Sequence, residues 1–169
     1  MNEELPAIFC YTAWVVMGVS GCGKSTVGRS FAESEGLIFA DADDFHPPAN
    51  VAKMRRGEPL TDADRRPWLD ELGRWLADHR LGVLACSALK ADYRKTLTQH
   101  RPGLRFVHLA ADYDAISKRM ESREHFMPVK LLRSQFDTLE PPPPDQALIL
   151  DATLPIDQLV AAMTSDARR

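Results

Sequence analysis

The sequence has little of what marks a secreted, metal-clustered, membrane-spanning or nucleic-acid-binding chain. Only three of its 169 residues are cysteine, Cys10, Cys22 and Cys86. They lie far apart, no CxxC or Cys/His pattern joins them, and an odd count argues for reduced thiols in a cytoplasmic protein rather than a disulfide framework or a zinc site. No apolar run is long enough to span a membrane, so no membrane partner is expected. Residues 5–17 are largely apolar, but Glu3 and Glu4 precede them where a signal peptide carries positive charge. Residues 1–12 are therefore read as an N-terminal extension flanking the first strand. An excess of one charge is also missing. With 21 Lys and Arg against 24 Asp and Glu the net charge is −3, which does not favour a nucleic-acid partner. There is no internal repeat, and the only low-complexity tract is 141–144, four prolines. The length suits one domain, residues 1–169, with a real core.

What the chain does have is a phosphate-binding loop. Residues 18–25, Gly-Val-Ser-Gly-Cys-Gly-Lys-Ser, match GxxxxGKS/T with no mismatch. The apolar run Trp14-Val15-Val16-Met17 precedes the loop as a strand, and a helix with Val27 and Phe31 on one face follows it. That strand–loop–helix context is what the motif requires. Backbone N–H groups of Gly18, Val19, Ser20, Gly21, Cys22, Gly23 and Thr26 can surround phosphate oxygens, aided by the helix N-terminus. Lys24 would reach the outer phosphates, and Ser25 would place its hydroxyl on Mg²⁺. ATP with Mg²⁺ is the ligand this implies. Cys22 occupies a variable position of the motif and reads as a small residue that fits.

Strand-like and helix-like stretches alternate, which implies a parallel sheet flanked by helices. Strands are expected at 14–17, 37–40, 83–86, 105–109 and 147–150, as short apolar runs buried on both faces. Trp68, Leu69, Leu72, Trp75 and Leu76 recur at helical spacing, which puts both tryptophans in the core. Val129, Leu132, Phe136 and Leu139 form another stripe, and Ile156, Leu159, Val160 and Met163 a last one. In such sheets ligands bind beyond the carboxyl ends of the strands, and that is where the polar clusters fall.

Four clusters could carry chemistry. If the strand persists through Asp41-Ala42-Asp43, the two carboxylates point to one side. One can hold Mg²⁺ through its water shell, and the other can accept a proton from an attacking hydroxyl. The competing reading is an acidic turn capping the next helix. Residues 46–66 are polar, rich in turn formers and long for a connector, which suits a substrate-binding segment. His46, Lys53 and Arg65 stand there as candidate grips for an anionic acceptor. After the third strand come Ser87, Lys90, Tyr93 and Arg94; Ser87 could equally cap the helix that follows. Beyond the fourth strand, Arg119 and Arg123 are four apart on one helix face, and His125 follows. One arginine could lie against adenine and the other toward the transferring phosphoryl group. A mobile lid over about 119–130 would exclude water. No Asn-Lys-x-Asp string is present, which argues against a guanine-nucleotide switch. His79, His100 and His108 carry no pattern.

These residues together resemble the small P-loop gluconokinases. The resemblance runs almost end to end, through 17–26, Asp-Ala-Asp-Asp-Phe-His-Pro at 41–47, the stretch from Asn50 to Leu69, and Ala-Cys-Ser-Ala-Leu-Lys at 85–90. It continues with Tyr93-Arg94, His125-Phe-Met-Pro128 and 131–142. Likeness to shikimate kinases and nucleoside monophosphate kinases is weaker and architectural. The resemblance implies a three-layer α/β P-loop kinase fold with a five-stranded parallel sheet and a lid. It also implies a Mg²⁺ requirement, a homodimer, and phosphoryl transfer from ATP to the 6-hydroxyl of D-gluconate. On that reading Lys24, Asp43 and Arg123 are catalytic, and Ser25 and Asp41 serve the metal. Arg119 covers the nucleotide, and Asp43, His46, Lys53, Arg65, Lys90, Arg94 and His125 contact gluconate. One departure from the family pattern stands out. The family's Arg-x-Gly-His-Phe lacks its glycine here, where Glu124 directly precedes His125.

Overall fold

The first strand, β1 (Ala13–Met17), is buried along its whole length, as its unbroken apolar run predicts. Its side chains alternate between two cores. Trp14 and Val16 enter one, and Ala13, Val15 and Met17 the other. The structure, a computed structural model, describes residues 11–122 and 129–169. Around β1 stand β2 (Ile38–Asp41), β3 (Gly82–Ala85), β4 (Leu104–Ala110) and β5 (Ala147–Asp151), all parallel, in the order β2-β3-β1-β4-β5. The first face of this sheet is covered by α1 (Lys24–Glu35), α5 (Tyr113–Glu121), α6 (Val129–Thr138) and α7 (Ile156–Ala167), which bring Phe31, Ile116, Leu132 and Leu159 into the core. The second is covered by α3 (Asp62–Asp78) and α4 (Ala91–His100), through Trp68, Leu72, Leu76 and Leu97. These are the three layers that the alternation of elements implies.

Every expected strand forms, with small shifts in its ends. The second begins at Ile38 rather than Leu37 because Leu37 belongs to the preceding helix stop. Gly36 takes φ 69°, and the Leu37 N–H closes onto the Ala32 carbonyl at 2.8 Å. The third begins one residue early, at Gly82, which pairs with Ile38. A side chain at Gly82 would meet the Trp75 ring at 2.9 Å. The polar stretch after β2 is more regular than a connector. It contains α2 (Pro48–Arg55), opened by a proline in its first turn, and the start of α3. Thr61 and Asp64 form a reciprocal capping box that begins α3.

The chain crosses from β1 to β2, returns to β3, then moves to β4 on the other side of β1. This reversal opens a cleft beyond the carboxyl ends of β1 and β3. On the first face α7 is tied to the sheet by an ion pair. Arg105 of β4 donates through Nε and Nη2 to the two Asp166 carboxylate oxygens, each at 2.8 Å. Asp166 is 6% exposed. Replacing it by alanine leaves a mostly buried guanidinium without its partner, and should destabilise the fold by about 3 kcal/mol in urea unfolding. A loss below about 0.5 kcal/mol, the size of an ordinary surface change, would mean that α7 docks without this pair.

Candidate active site

The loop after β1 wraps its backbone inward because its glycines adopt conformations closed to other residues. Gly18 has φ 147°, and a Cβ there would lie 2.8 Å from Cys22 Sγ and 2.9 Å from the Leu109 carbonyl oxygen. Gly23, at φ 98°, is the N-cap of α1 and has no side-chain cap of its own. The first N–H groups of α1 are therefore left for an anion. Lys24 Nζ lies across the loop, donating to the Val19 carbonyl at 3.0 Å. From outside, Arg119 of α5 donates to the Gly21 and Cys22 carbonyls at 3.4 and 3.3 Å and to Ala152 after β5 at 3.1 Å.

The acidic side is built by a turn, not by a continued strand. β2 ends at Asp41, and Ala42–Phe45 form a 3-10 turn. Asp41 Oδ1 accepts the Asp43 N–H at 3.0 Å, while Asp41 Oδ2 accepts the Ser25 hydroxyl. The strand alternation expected for Asp41 and Asp43 therefore fails, because the Asp41 side chain caps the turn. Both carboxylates nevertheless line the same cleft as Lys24. Asp43 is accessible from the mouth, yet protein crowds most of its surroundings. That desolvation raises its pKa; Lys24 opposes the rise, and Asp41 and Asp44 add to it.

Beyond the carboxylates the cleft is walled by His46, Arg65, Trp68 and Ser87. The His46 ring stacks on Trp68, centroids 4.2 Å apart and planes within 11°. Trp68 Nε1 donates to the Ala42 carbonyl at 2.7 Å, which fixes the indole under the acidic turn. Burial, with the Arg65 charge second, lowers the His46 pKa to about 4. Cys86 also lies in the wall, but complete burial pushes its thiol up to about 12, so it is a packing residue rather than a nucleophile. Leu131, Ser134 and Gln135 of α6 line the cleft as well, and Gln135 Oε1 accepts the Ser20 N–H at 2.6 Å.

The structure thus brings Ser20, Lys24, Asp41, Asp43, His46 and Arg65 to one cleft. Three of the expected acceptor contacts are not brought there. Lys53 pairs with Asp64 at 2.8 Å, and Lys90 pairs with Asp62 at 3.0 Å. Arg94, 7% exposed, donates to the Ala88, Leu89 and Glu140 carbonyls. Each of these cations answers acceptors of its own scaffold. Ser87 does not cap α4, whose N-cap is Lys90. Arg123, His125 and the span 123–128 of the expected lid lie outside the described residues, as does most of the N-terminal extension. Trp68 is in the core, as its spacing predicts, but it also forms cleft wall. Gln135 carries no sequence-based role. No local spacing signals it, because its contact with Ser20 spans 115 residues.

A phosphate chain and a hard cation both fit here. The loop offers inward-turned backbone and a lysine, and Ser25 with Asp41 offers oxygen donors of the kind Mg²⁺ takes alongside phosphate oxygens. Fold and site define an ATP- and Mg²⁺-dependent P-loop kinase that transfers phosphate to a hydroxyl. A shikimate kinase family model matches residues 20–138. The gluconokinase of Gluconobacter oxydans is 48% identical over 140 residues, covering 80% of this chain and 79% of that one. The thermoresistant gluconokinase of Escherichia coli is 39% identical over 156 residues, 88% of this chain and 89% of its own. A crystal structure of a gluconokinase from Sinorhizobium meliloti superposes with a TM-score of 0.87 at 42% identity, covering 95% of each chain. A shikimate kinase from Bacteroides thetaiotaomicron, at 19% identity and a TM-score of 0.66 over 91% of this chain and 97% of that one, shares the fold. The chain belongs to the gluconokinase family, on the fold of the shikimate kinases.

The half-buried imidazole makes a direct prediction. An NMR titration of His46 should give a midpoint near 4, well below the usual value of 6.5. Because the folded pKa is lowered, the unfolded chain binds the extra proton first. The His46 contribution should therefore be full above about pH 6.5 and decline as pH falls toward 4. His46→Gln should flatten that part of the stability profile. A His46 midpoint near 6.5 would show that the stack leaves the ring solvated.

Proposed function

We propose that this chain is a gluconokinase, transferring the ATP γ-phosphoryl group to the 6-hydroxyl of D-gluconate to give 6-phosphogluconate and ADP. One observation carries the reading: the phosphate-loop lysine, two carboxylates and an acceptor-side arginine line a single cleft. The names of the relatives point to the same acceptor. Lys24 and the loop amides neutralise phosphate charge, and Ser25 and Asp41 would hold Mg²⁺, which would supply further charge stabilisation to the transferring phosphoryl group. Asp43 orients the sugar hydroxyl and accepts its proton. Phosphoryl transfer is loose, so positioning and charge stabilisation outweigh base strength.

His46, neutral above about pH 4, offers ring nitrogens to sugar hydroxyls rather than charge. Arg65 takes the carboxylate. Arg119 braces the phosphate loop and serves the nucleotide; in this reading residues about 119–130 act as the lid, with Arg123 serving the transferring group and His125 the acceptor. Residues 46–66 form the acceptor segment of one catalytic domain. We read the enzyme as a cytoplasmic homodimer acting on a free small molecule.

A coupled ADP-release assay with Mg·ATP tests this, comparing D-gluconate with shikimate, AMP and no acceptor. Release that depends on gluconate, with 6-phosphogluconate as product, is expected. Stimulation by shikimate instead would favour the chemistry named in the matching family model. Asp43→Asn should lower kcat by about 10²-fold, within the usual range for a lost acid–base group, while ATP still binds. Unchanged turnover would remove Asp43 from the chemistry.

A further inference from the structure

The first turn of α3 is braced from two sides. On one side Asp64 closes the capping box with Thr61 and accepts Lys53 Nζ from α2 at 2.8 Å. Asn50 Nδ2, also on α2, donates to the Asp64 carbonyl at 3.0 Å. On the other side Lys90 Nζ donates to both Asp62 carboxylate oxygens, at 3.0 and 3.2 Å. Tyr93 of α4 donates its hydroxyl to Asp62 Oδ1 and accepts from Arg65 Nη1 at 3.4 Å. Arg65 Nη1 also donates to the Leu60 carbonyl at 2.7 Å, and the guanidinium carbon lies 5.6 Å from the Tyr93 ring centroid. Arg65 forms part of the cleft wall; Tyr93, Asp62 and Lys90 do not.

We propose that Tyr93 is a positioning residue for recognition of the acceptor's carboxylate, holding Arg65 in place while Asp62 and Lys90 hold Tyr93. This rests on the reading of gluconate as acceptor. A phenol has one proton to donate. Giving it to Asp62 leaves the Tyr93 oxygen to Arg65 as an acceptor, so Asp62 sets the direction of the bond. Both Arg65 hydrogen bonds use Nη1. Among the described residues its Nε and Nη2 edge takes no protein acceptor, and that edge grips a carboxylate with two parallel bonds. Fixing the long side chain beforehand lowers the ordering cost of binding. In gluconate the carboxylate is carbon 1, at the far end from the reacting 6-hydroxyl. A contact so remote is made alike in the bound substrate and in the transition state, so its loss raises KM rather than lowering kcat.

The test is steady-state kinetics of Tyr93→Phe, which keeps the ring and removes only the hydroxyl. KM for gluconate should rise about tenfold, the scale of one hydrogen bond to a charged group, with kcat within about twofold and KM for ATP unchanged. Asp62→Asn, at an exposed position, should shift gluconate KM in the same direction by less, and guards against a fold defect in the first variant. Gluconate KM unchanged in both variants would overturn the assignment. So would a joint loss of kcat and ATP affinity, which marks a structural role alone. A wild-type chain that ignores gluconate would instead remove the functional reading on which the assignment stands.

Discussion

The reacting end of the molecule depends on one hydrogen bond, from the Ser25 hydroxyl to the Asp41 carboxylate. Ser25 is the second residue of α1, directly behind the phosphate loop, and Asp41 is the last residue of β2. In the sheet β3 stands between β2 and β1, so the bond reaches across a strand. The other oxygen of the same carboxylate accepts the Asp43 N–H and turns the chain into the 3-10 segment. One side chain therefore ties the end of the phosphate loop to the start of the turn that bears Asp43. The hydroxyl and carboxylate that hold each other are also the oxygen pair suited to a hard cation.

The second constraint is that most cations near the cleft answer to the protein and not to a ligand. Lys53, Lys90 and Arg94 all find acceptors in the scaffold, whereas Arg65 commits one nitrogen to it and still reaches the cleft. The lysine pairs are partly or largely open to solvent, where an ion pair contributes little stability. Their effect is geometric. They fix the first turn of α3 against α2 and against the start of α4, which sets where Arg65 lies.

This division explains what the sequence made legible. The loop motif and the parallel strands follow from local spacing and form where it puts them; burial on both faces holds for the inner strands but not for the edge strands β2 and β5, where Ile38 and Ile149 reach solvent. Asp41 and Asp43 were legible as a pair but not in their geometry, because a side-chain cap outweighed the strand alternation. The lysines were legible only as charges, because charge in a motif-rich segment reads the same whether its partner is a ligand or an aspartate 11 or 28 residues away. Trp68 was legible as core, but its second use, stacking on His46, depends on a turn whose path local pattern does not determine. Gln135 meets Ser20 across 115 residues, a contact that no spacing rule reaches.

The same division separates the fold from its acceptor. A shikimate kinase at 19% identity shares the fold, with a TM-score of 0.66. In this chain the route from β1 through the loop to α1 is the part that suits phosphate, whatever receives it. Recognition of the acceptor has to come from elements free to vary without disturbing the sheet, and on the proposed reading those are α2 and the start of α3. They contribute no strand; α2 reaches the core through Met54, and α3 enters it one turn further on through Trp68. Trp68 is also the residue on which His46 stacks and whose indole N–H holds the acidic turn. The proposed acceptor contact at His46 is thus coupled to the position of Asp43 through one indole. A substitution that repacked Trp68 would move both. Substitutions in the braces around Arg65 avoid that coupling, so on the proposed reading the α2–α3 junction is where specificity can change while the chemistry stays in place.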